Sequence, residues 1–343
     1  MPMSSLQIGL ALVGCLLLVA MVGHGVWTSR KNLPRQAAPD GAAVASERIE
    51  PGLDGAALDV ANFPVPMLEK KLAIDTLIDI VALIALDAPV SGEAALAALP
   101  PTRRVGSKLF AIEAFNESEQ RWELPVAGLH YLCFQAGVQL ANRLGAINEI
   151  EYSEFVIKTH AFCDAINGTP YFPEMREEVA RARELDQFAS EHDAQLGLVL
   201  HARRAAWSPG YVQQNAARLG FVLGVIPGRM LLAASSPGLP AVLNLSFDSE
   251  AAMAEDPALS AIRELAFSLD VAQVDRRERA FERMRETALS LADTMDGEIT
   301  DDNGRPLTSE AMDVIGAELA RLYDTLDQHD LSAGSVQARR LFS

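Results

Sequence analysis

The chain has 343 residues, of which 49% are hydrophobic, and its formal net charge is -17. This length allows two domains of ordinary size, and the acidic balance argues against a nucleic-acid-binding protein, which needs a basic footprint. The three cysteines, Cys15, Cys133 and Cys163, exclude a disulfide framework and are typical of a reducing compartment.

The first predicted element is a membrane-spanning helix over residues 6–27. Residues 8–27 contain no Lys, Arg, Asp or Glu, and the next charges are Arg30 and Lys31. Such a run is long enough to cross a hydrocarbon core of about 30 Å once. No basic residue precedes it, so the charge rule for membrane proteins places the remaining chain in the cytoplasm.

Two kinds of cleaved leader are the alternatives to this retained anchor. A secretory signal would begin with basic residues, and residues 1–5 contain none. The stretch Leu12-Val13-Gly14-Cys15 is similar to a lipoprotein cleavage box, but a further apolar run follows Cys15, where a mature lipoprotein should begin. A retained single anchor is therefore favoured.

Residues 28–66 are predicted to form a flexible linker. They are rich in Ala, Pro, Gly and acidic residues and have no sustained periodicity. A free chain of this length would have a reach of roughly 35 Å, taking about 5–6 Å times the square root of its length. The last residues, 332–343, are likewise predicted to be a disordered tail.

Beyond the linker, the pattern indicates two tandem repeats, residues 67–193 and 194–331. An apolar, strand-like run opens each repeat, at 77–86 and at 196–201, and a short helix follows each run. The ordered matches predict a duplication. The mixture of elements predicts the α+β class, in which each repeat has a mostly antiparallel sheet covered by helices on one face.

Apolar spacing predicts the later helices of each repeat. In the second repeat, stripes of helical period run through 281–295 and 312–326, and Thr308 is a predicted N-cap of the second helix. Late in both repeats an Asp, an apolar residue two places on and a Gly recur, ending at Gly168 and Gly297. These glycines stand where a helix is expected to stop.

No motif of a known enzyme class is present. The sequence lacks a Walker-type loop and the G-x-G-x-x-G, H-E-x-x-H and C-x-x-C patterns. His160 and Cys163 have a spacing that can share a metal, but no second ligand pair follows, and a structural role is favoured. His192-Asp193 and His329-Asp330 stand at predicted helix ends, which favours capping over acid–base chemistry. We therefore predict no catalytic residues, no metal and no cofactor.

An anchored chain without catalytic motifs is expected to recognise a partner rather than to turn over a substrate. A sheet with helices on one face leaves its other face free to receive a peptide. One alternative is a membrane-bound sensor or adaptor that binds a small molecule in a deep apolar cavity between the repeats. Another is a hydrolase of unrecognised type, which would require titratable groups that converge in one pocket.

Several stretches carry a resemblance to a known family. Residues 24–31, at the end of the predicted anchor, have the sequence HGVWTSRK, and residues 219–224 read LGFVLG. Residues 292–297 read ADTMDG and are followed by Asp301-Asp302 and the helix predicted after Thr308. Over the anchor and roughly residues 195–331, the chain resembles the ZipA family of bacterial cell-division proteins.

This resemblance implies a single-pass protein of the cell inner membrane without a catalytic role, with a periplasmic N-terminus and cytoplasmic α+β domains. The open sheet face of the C-terminal domain would hold the C-terminal tail of FtsZ, the tubulin-like protein of the division ring, and so tether the ring to the membrane. Carried onto this sequence, the implied partner-binding positions are Leu196, Leu198, Ile226, Val242, Asn244, Ser246, Ser268 and Asp270.

The sequence departs from the family pattern in three ways. Its linker is shorter than the family's usual Pro- and Gln-rich one, and the duplication is not the family's single-domain layout. In addition, Asn244, Ser246, Ser268 and Asp270 are polar, whereas large apolar side chains normally supply most of the affinity of such a cleft. The first repeat is therefore a second candidate for binding, and the sequence leaves self-association open.

Overall fold

The fold is described from a computed structural model, which covers residues 34–37, 74–256 and 259–343. The predicted membrane helix at 6–27 and most of the predicted linker lie outside the described residues. In the ranges given, no helix is both long enough and apolar enough to span a bilayer.

The first unit, within residues 74–193, contains a six-stranded antiparallel sheet in the order β2-β3-β5-β1-β8, with β4 paired to β3 and a separate β6–β7 ribbon. Its elements in chain order are β1 (Asp79–Ser91), α1 (Gly92–Ala98), β2 (Arg104–Val105), β3 (Lys108–Asn116), β4 (Arg121–Glu123), β5 (His130–Gln139), β6 (Ala141–Asn142), β7 (Gly145–Ala146), α2 (Glu149–Ile166), β8 (Gly168–Tyr171) and α3 (Met175–His192).

The second unit follows directly and contains a six-stranded antiparallel sheet in the order β10-β11-β12-β13-β9-β14. Its elements are β9 (Gln195–Ala202), α4 (Pro209–Arg218), β10 (Phe221–Leu223), β11 (Arg229–Leu232), β12 (Leu243–Ser246), α5 (Ser249–Met253), β13 (Glu264–Asp270), two 3₁₀ turns (Val271–Gln273 and Arg276–Glu278), α6 (Ala280–Met295), β14 (Gly297–Thr300), α7 (Ser309–Gln328) and α8 (Val336–Leu341).

The predicted α+β class with antiparallel sheets is confirmed. The two units also share a connection pattern. In each, the opening strand lies between a long strand and the short strand that follows a long helix: β1 lies between β5 and β8, and β9 lies between β13 and β14. Whether this likeness reflects a duplication stays a prediction.

Each sheet packs its helices against one face because its buried residues alternate along the strands. In β1, Ile80, Ala82 and Ile84 are fully buried, whereas Leu83 is half exposed. The buried side of this sheet meets α2, where the ring of Phe162 lies 5.4 Å from that of Phe134 in a T-shaped contact. Burial of each large apolar side chain stabilises the fold by about 1.5–3 kcal/mol.

The predicted helical stripes of the second unit are confirmed. The buried residues of α6 are Ala280, Phe281, Met284, Ala288, Leu291 and Met295. Thr308 is the N-cap of α7, and its hydroxyl accepts a hydrogen bond from the Ala311 N–H at 3.2 Å. The cap satisfies a donor that the first turn of a helix leaves unpaired.

The predicted helix stops before Gly168 and Gly297 are confirmed, since α2 ends at Ile166 and α6 at Met295, but the glycines are not the capping residues. The residues in the left-handed conformation are Asn167 (φ 51°) and Asp296 (φ 59°), which cap α2 and α6. Gly168 and Gly297 instead begin strands β8 and β14. A Cβ atom on them would lie 2.9 and 2.6 Å from side chains of the neighbouring opening strands. Close packing between strands therefore requires glycine there.

The predicted disordered tail at 332–343 is also wrong. Ser335 caps α8 by accepting from the Ala338 N–H at 3.0 Å, and Ala338, Leu341 and Phe342 are at most 1% exposed. The stretch is short and mostly polar, so its apolar residues find burial only against distant parts of the chain. The N–H of Gly334, for example, donates to a carbonyl in the first 3₁₀ turn at 2.9 Å.

The linker prediction is wrong for residues 34–37. Pro34 is buried, and Arg35 forms an isolated parallel β-bridge with Trp207 of the second unit. Local composition does not reveal this contact because its hydrogen bonds are made by backbone groups far away in the sequence.

Side chains at the junction of the two units link them directly. The Arg143 guanidinium donates to both carboxylate oxygens of Asp193, at 2.8 and 2.7 Å, and lies 2.7 Å from a carboxylate oxygen of Asp270 in β13. The charged partners raise the pKa of the Arg143 guanidinium, with the Asp193 hydrogen bond as the largest cause. Asp270, a predicted partner-binding residue, is therefore engaged in the junction.

The two closing helices meet at Phe188. Its ring lies 4.3 Å from that of His192 and 4.4 Å from that of His329. Each histidine also contacts a carbonyl one turn earlier, through Nδ1, at 2.7 Å for His192 and 2.9 Å for His329. These contacts agree with the capping interpretation of the two His-Asp pairs.

Candidate functional site

The side of the second sheet opposite its helices carries small and polar side chains. In β13, Leu265, Phe267 and Leu269 are buried, whereas Ala266 and Ser268 are exposed. The same alternation runs through the neighbouring strands. We call this surface the open face, made by Gly197, Val199, Arg229, Leu231, Asn244, Ser246, Ala266 and Ser268.

Strand register arranges these residues in two rows across the sheet. One row is Leu231, Asn244, Ser268 and Gly197, and the other is Arg229, Ser246, Ala266 and Val199. The middle of both rows consists of short side chains. A partner can therefore approach the sheet backbone closely there, while longer groups stand on either side.

An acidic and polar wall borders the open face on the β9 and β14 side. The carboxylate of Asp302 lies over Gly197, so that a Cβ atom on Gly197 would be 2.4 Å from its Oδ1. His201 lies 3.1 Å from the Thr300 hydroxyl and 3.4 Å from Glu264. Backbone N–H groups, first that of Arg305, hold the pKa of the nearby Asp301 carboxyl below its usual range.

An apolar wall borders the other side, at β10 and the turn that follows it. Val222 is 55% exposed, Leu223 65% and Ile226 51%, and Val225 is fully exposed. Single exposed apolar residues are ordinary, but a contiguous group of this size is typical of an interaction surface.

A cavity of about 420 Å³ lies at one end of the open face, beside Ile262 and next to strands β9, β12 and β13. Its lining residues include Val199, Ser246 and Ala266 of the open face together with Arg263 and Glu264. The cavity thus offers a partly apolar recess with one basic residue, Arg263, and two acidic residues, Asp248 and Glu264, in its lining.

The structure brings three of the predicted site residues together on the open face, namely Asn244, Ser246 and Ser268. Ile226 is exposed in the apolar wall, next to this face. The remaining positions, Leu196, Leu198, Val242 and Asp270, do not belong to the open face.

The assignment of Leu196, Leu198 and Val242 to a partner-binding cleft is wrong. Leu198 is 3% exposed and Val242 1%, and Leu196 is partly buried against the same core cluster. In β9 the leucines point toward the helices, and Gly197 and Val199 point the other way. For Leu196 and Leu198 the error is one of parity, which moves every side chain to the opposite face. Val242 has the parity of Asn244 but lies just before β12 and is buried in the core.

Sequence reasoning missed Gly197, Val199, Arg229, Leu231 and Ala266. The residues of β9 read QLGLVLHA. Because Val199 is apolar, like the leucines on either side of it, the sequence does not show which alternate set of residues is buried. The strict alternation of β13 could have revealed Ala266. Pairing between β13 and β9 would then have transferred that parity to Gly197 and Val199.

The first sheet offers a second and more apolar surface. Leu83 is 50% exposed and its strand partner Tyr171 62%. On the same side, Gln135 donates to the buried carboxylate of Glu113 at 2.8 Å, and the N–H of Ile74 donates to that carboxylate at 3.3 Å. This surface therefore combines exposed apolar groups with a buried carboxylate.

Titratable groups do not converge in a catalytic arrangement at the open face. His160 and Cys163, the predicted weak metal pair, diverge, because His160 is exposed beside Phe172 and Cys163 is 1% exposed. Burial raises the pKa of the Cys163 thiol to about 11. Among the described residues, no group of three or more His, Cys, Asp or Glu could hold a metal ion.

Comparison with known proteins adds a decisive observation. Residues 251–318 match the family model described as "ZipA, C-terminal FtsZ-binding domain". The resemblance to the ZipA family is confirmed. The match begins in α5, contains β13, α6 and β14, and ends within α7. It therefore includes Ala266 and Ser268 of the open face in a ZipA-like segment.

A comparison with curated proteins finds no match to the chain. The ZipA match is confined to the second unit.

Proposed function

We propose that the open face binds the C-terminal tail of FtsZ and that the chain tethers the division ring to the inner membrane. The observation that carries this proposal is the match at residues 251–318, a segment that supplies Ala266 and Ser268 to the open face. The family is described by its binding to FtsZ, and the shape of this face suits a peptide.

Peptide binding agrees with the dimensions of the open face. Short side chains in its two rows leave a shallow groove between a polar wall and the apolar wall at Val222 and Ile226. A bound segment could place apolar side chains against that wall. Pockets that bury apolar anchors supply most of the affinity in peptide recognition.

Membrane attachment enters the proposal from the sequence. The uncharged run at 8–27 and the positive charges that follow it support a single-pass anchor with the two units in the cytoplasm. Attachment of the open face to a filament and of the anchor to the bilayer would link the two without any catalytic step.

The experiment is a binding titration of the full chain against FtsZ and against FtsZ without its C-terminal tail. Ala266→Glu places a charge in the groove and should weaken binding at least about tenfold, because an apolar partner cannot satisfy a buried carboxylate. Ala317→Glu is the matched control, since Ala317 lies on the exposed side of α7 within the same matched segment. It should leave binding unchanged.

A third variant distinguishes the two sheets. Leu83→Arg changes the exposed surface of the first sheet, where Leu83 is 50% exposed. The proposal expects normal FtsZ binding by this variant. Equal binding to tail-less FtsZ would contradict the proposal, and loss of binding in Leu83→Arg alone would assign the tail to the first unit.

We also propose that the two units arose by tandem duplication. Their opening strands occupy equivalent places in the sheets. Asn167 and Asp296 adopt the same left-handed cap, and a tightly packed glycine follows each of them. Relatives in which the first unit also matches the ZipA model would support this origin. A first unit that matches an unrelated family in those relatives would contradict it.

No observation favours the small-molecule sensor. The cavity of about 500 Å³ at the junction is lined by the charged residues Arg143, Asp186 and Asp193 as well as by apolar ones such as Leu341 and Phe342, whereas that hypothesis requires a deep apolar cavity.

A further inference from the structure

A short segment that follows the predicted anchor is docked on the second unit. The N–H of Arg35 donates to the Ala206 carbonyl at 2.7 Å, and the N–H of Ser208 donates to the Arg35 carbonyl at 2.9 Å. These bonds flank Trp207, which is fully buried. The chain therefore reaches the second unit at a defined place, just before α4.

The side chain of Arg35 strengthens this attachment at the end of α6. Its guanidinium donates to the Met295 carbonyl at 3.0 Å and to the Asp296 carboxylate at 3.2 Å. Arg204 approaches the same carboxylate oxygen at 3.6 Å, and the N–H of Arg203 donates to the Asp296 carbonyl at 3.1 Å. The side chains of Arg35 and Arg204 thus share the Asp296 carboxylate, and the backbone of Arg203 is bonded to the same residue.

The docked segment limits the distance between the second unit and the bilayer. Six residues, 28–33, lie between position 27, where the predicted anchor ends, and Pro34, which makes seven steps along the chain. A fully extended chain spans at most about 3.6 Å per residue, so this stretch covers no more than about 25 Å. The second unit is therefore held much closer to the membrane than a free linker of 28–66 would hold it.

The surface beside the docking place carries exposed arginines next to the carboxylates of Asp296 and Glu264, in a chain whose net charge is -17. Arg203, Arg204 and Arg263 are all exposed. Arg263 lies beside the other two arginines, because its carbonyl accepts a hydrogen bond from the N–H of Ala202, the residue before Arg203. The cytoplasmic leaflet of a membrane is negatively charged and attracts basic groups held close to it. Charge and position therefore indicate the same partner.

We infer that Arg203, Arg204 and Arg263 form a headgroup-binding surface that seats the second unit on an anionic lipid bilayer. Docking of Arg35 sets which side of the unit faces the lipid. The inference rests on the membrane anchor of the proposed function, and it goes beyond that anchor because it fixes the orientation of the open face relative to the membrane.

Site-specific photocrosslinking of the full chain in lipid nanodiscs tests the inference. A photoreactive amino acid at Ala261, which is exposed two residues before Arg263, reports lipid within reach of the basic surface. The same group at Val314, on the exposed side of α7, is the control position. Crosslinked lipid is measured by mass spectrometry in nanodiscs rich in anionic lipid and in nanodiscs of zwitterionic lipid only.

The expected result is strong lipid crosslinking at Ala261 in anionic nanodiscs, weak crosslinking in zwitterionic ones and little at Val314 in either. Each arginine held near an anionic membrane surface changes the membrane-bound fraction about fivefold. The double variant Arg203→Glu with Arg204→Glu should therefore reduce the Ala261 crosslinking signal at least tenfold. The matched control is Arg103→Glu with Arg104→Glu, an exposed pair in the first unit, and it should leave the signal unchanged.

Other outcomes overturn the inference. Equal lipid crosslinking at Ala261 in the anionic and the zwitterionic nanodiscs overturns it even for the unsubstituted chain. An unchanged Ala261 crosslinking signal in the variant Arg203→Glu with Arg204→Glu also overturns the inference. If the chain does not enter nanodiscs at all, the anchor of the proposed function fails. If the chain enters and Ala261 stays away from lipid, only this inference fails.

Discussion

Arg340 donates two hydrogen bonds to Asp79, at 2.9 Å to Oδ2 and 2.5 Å to Oδ1, across 261 positions of the sequence. Asp79 begins β1 in the first unit, and Arg340 lies in α8. The same terminal segment is bound to the second unit, where the Gln273 side chain donates to the Phe342 carbonyl at 2.8 Å. Residues 332–343 therefore contact both units and connect them.

The first prediction concerns this ion pair. Asp79 is 1% exposed, so Arg340→Met should leave an uncompensated buried carboxylate and lower the free energy of unfolding by about 3–5 kcal/mol. The double variant Asp79→Leu with Arg340→Met removes both charges and should recover most of that loss. Urea unfolding of the two variants measures the difference, and equal losses in both would contradict the prediction.

The second prediction concerns how the stability of Arg340→Met depends on pH. Burial raises the pKa of the Asp79 carboxyl, and the Arg340 guanidinium opposes this shift. In Arg340→Met the opposing charge is lost, so the folded state binds the proton more tightly than the unfolded state does. Stability of that variant should therefore rise as pH falls through the raised pKa. A loss of stability relative to the wild type that stays constant between neutral and mildly acidic pH would contradict this.

The third prediction concerns the docked segment. Arg35→Ala removes two side-chain hydrogen bonds, to Met295 and Asp296, and should destabilise the second unit by about 1–2 kcal/mol. Amide exchange at Ser208, whose N–H donates to the Arg35 carbonyl, should become faster. Arg321→Ala is the control, because its side chain is 75% exposed and forms a surface ion pair with Glu318 on the same helix.

The fourth prediction compares two glycines of the second sheet. A Cβ atom on Gly197 meets the mobile end of the Asp302 side chain, whereas one on Gly297 lies 2.6 Å from the buried Leu200 side chain. Gly297→Ala should therefore cost about 1–3 kcal/mol through overpacking, and Gly197→Ala clearly less. Gly197→Ala should instead alter FtsZ binding, since Gly197 lies on the open face. Thermal unfolding and the binding titration measure the two effects.

The fifth prediction concerns alkaline pH. Burial, followed by the charges of Glu178 and Glu174, raises the pKa of Tyr152 to about 12 from its usual value near 10. Above about pH 10 the unfolded chain loses this proton while the folded chain keeps it, so stability falls as pH rises toward 12. The loss approaches about 2–3 kcal/mol at the end of this window. Urea unfolding of Tyr152→Phe should show a smaller loss over the same pH range.

Much of the local structure could be predicted because it depends on neighbouring residues. The stripe through α6 and the Thr308 cap follow from helical spacing and from one hydroxyl. The α+β class follows from the mixture of elements. The ZipA match, which includes β13 of the open face, agrees with a resemblance that was visible in short stretches of sequence.

The sequence by itself determined the α+β class, the helical stripe of α6 and the Thr308 cap of α7, since periodicity and caps are properties of adjacent residues. Only the tertiary structure decided which face of β9 is open, because the pattern around Val199 is apolar at both parities and register comes from pairing with β13. It also decided that Arg35 and Arg340 are attached. Their partners, Trp207, Asp296 and Asp79, lie far away in the sequence, and burial of a charged or polar group is stable only where folding supplies those partners.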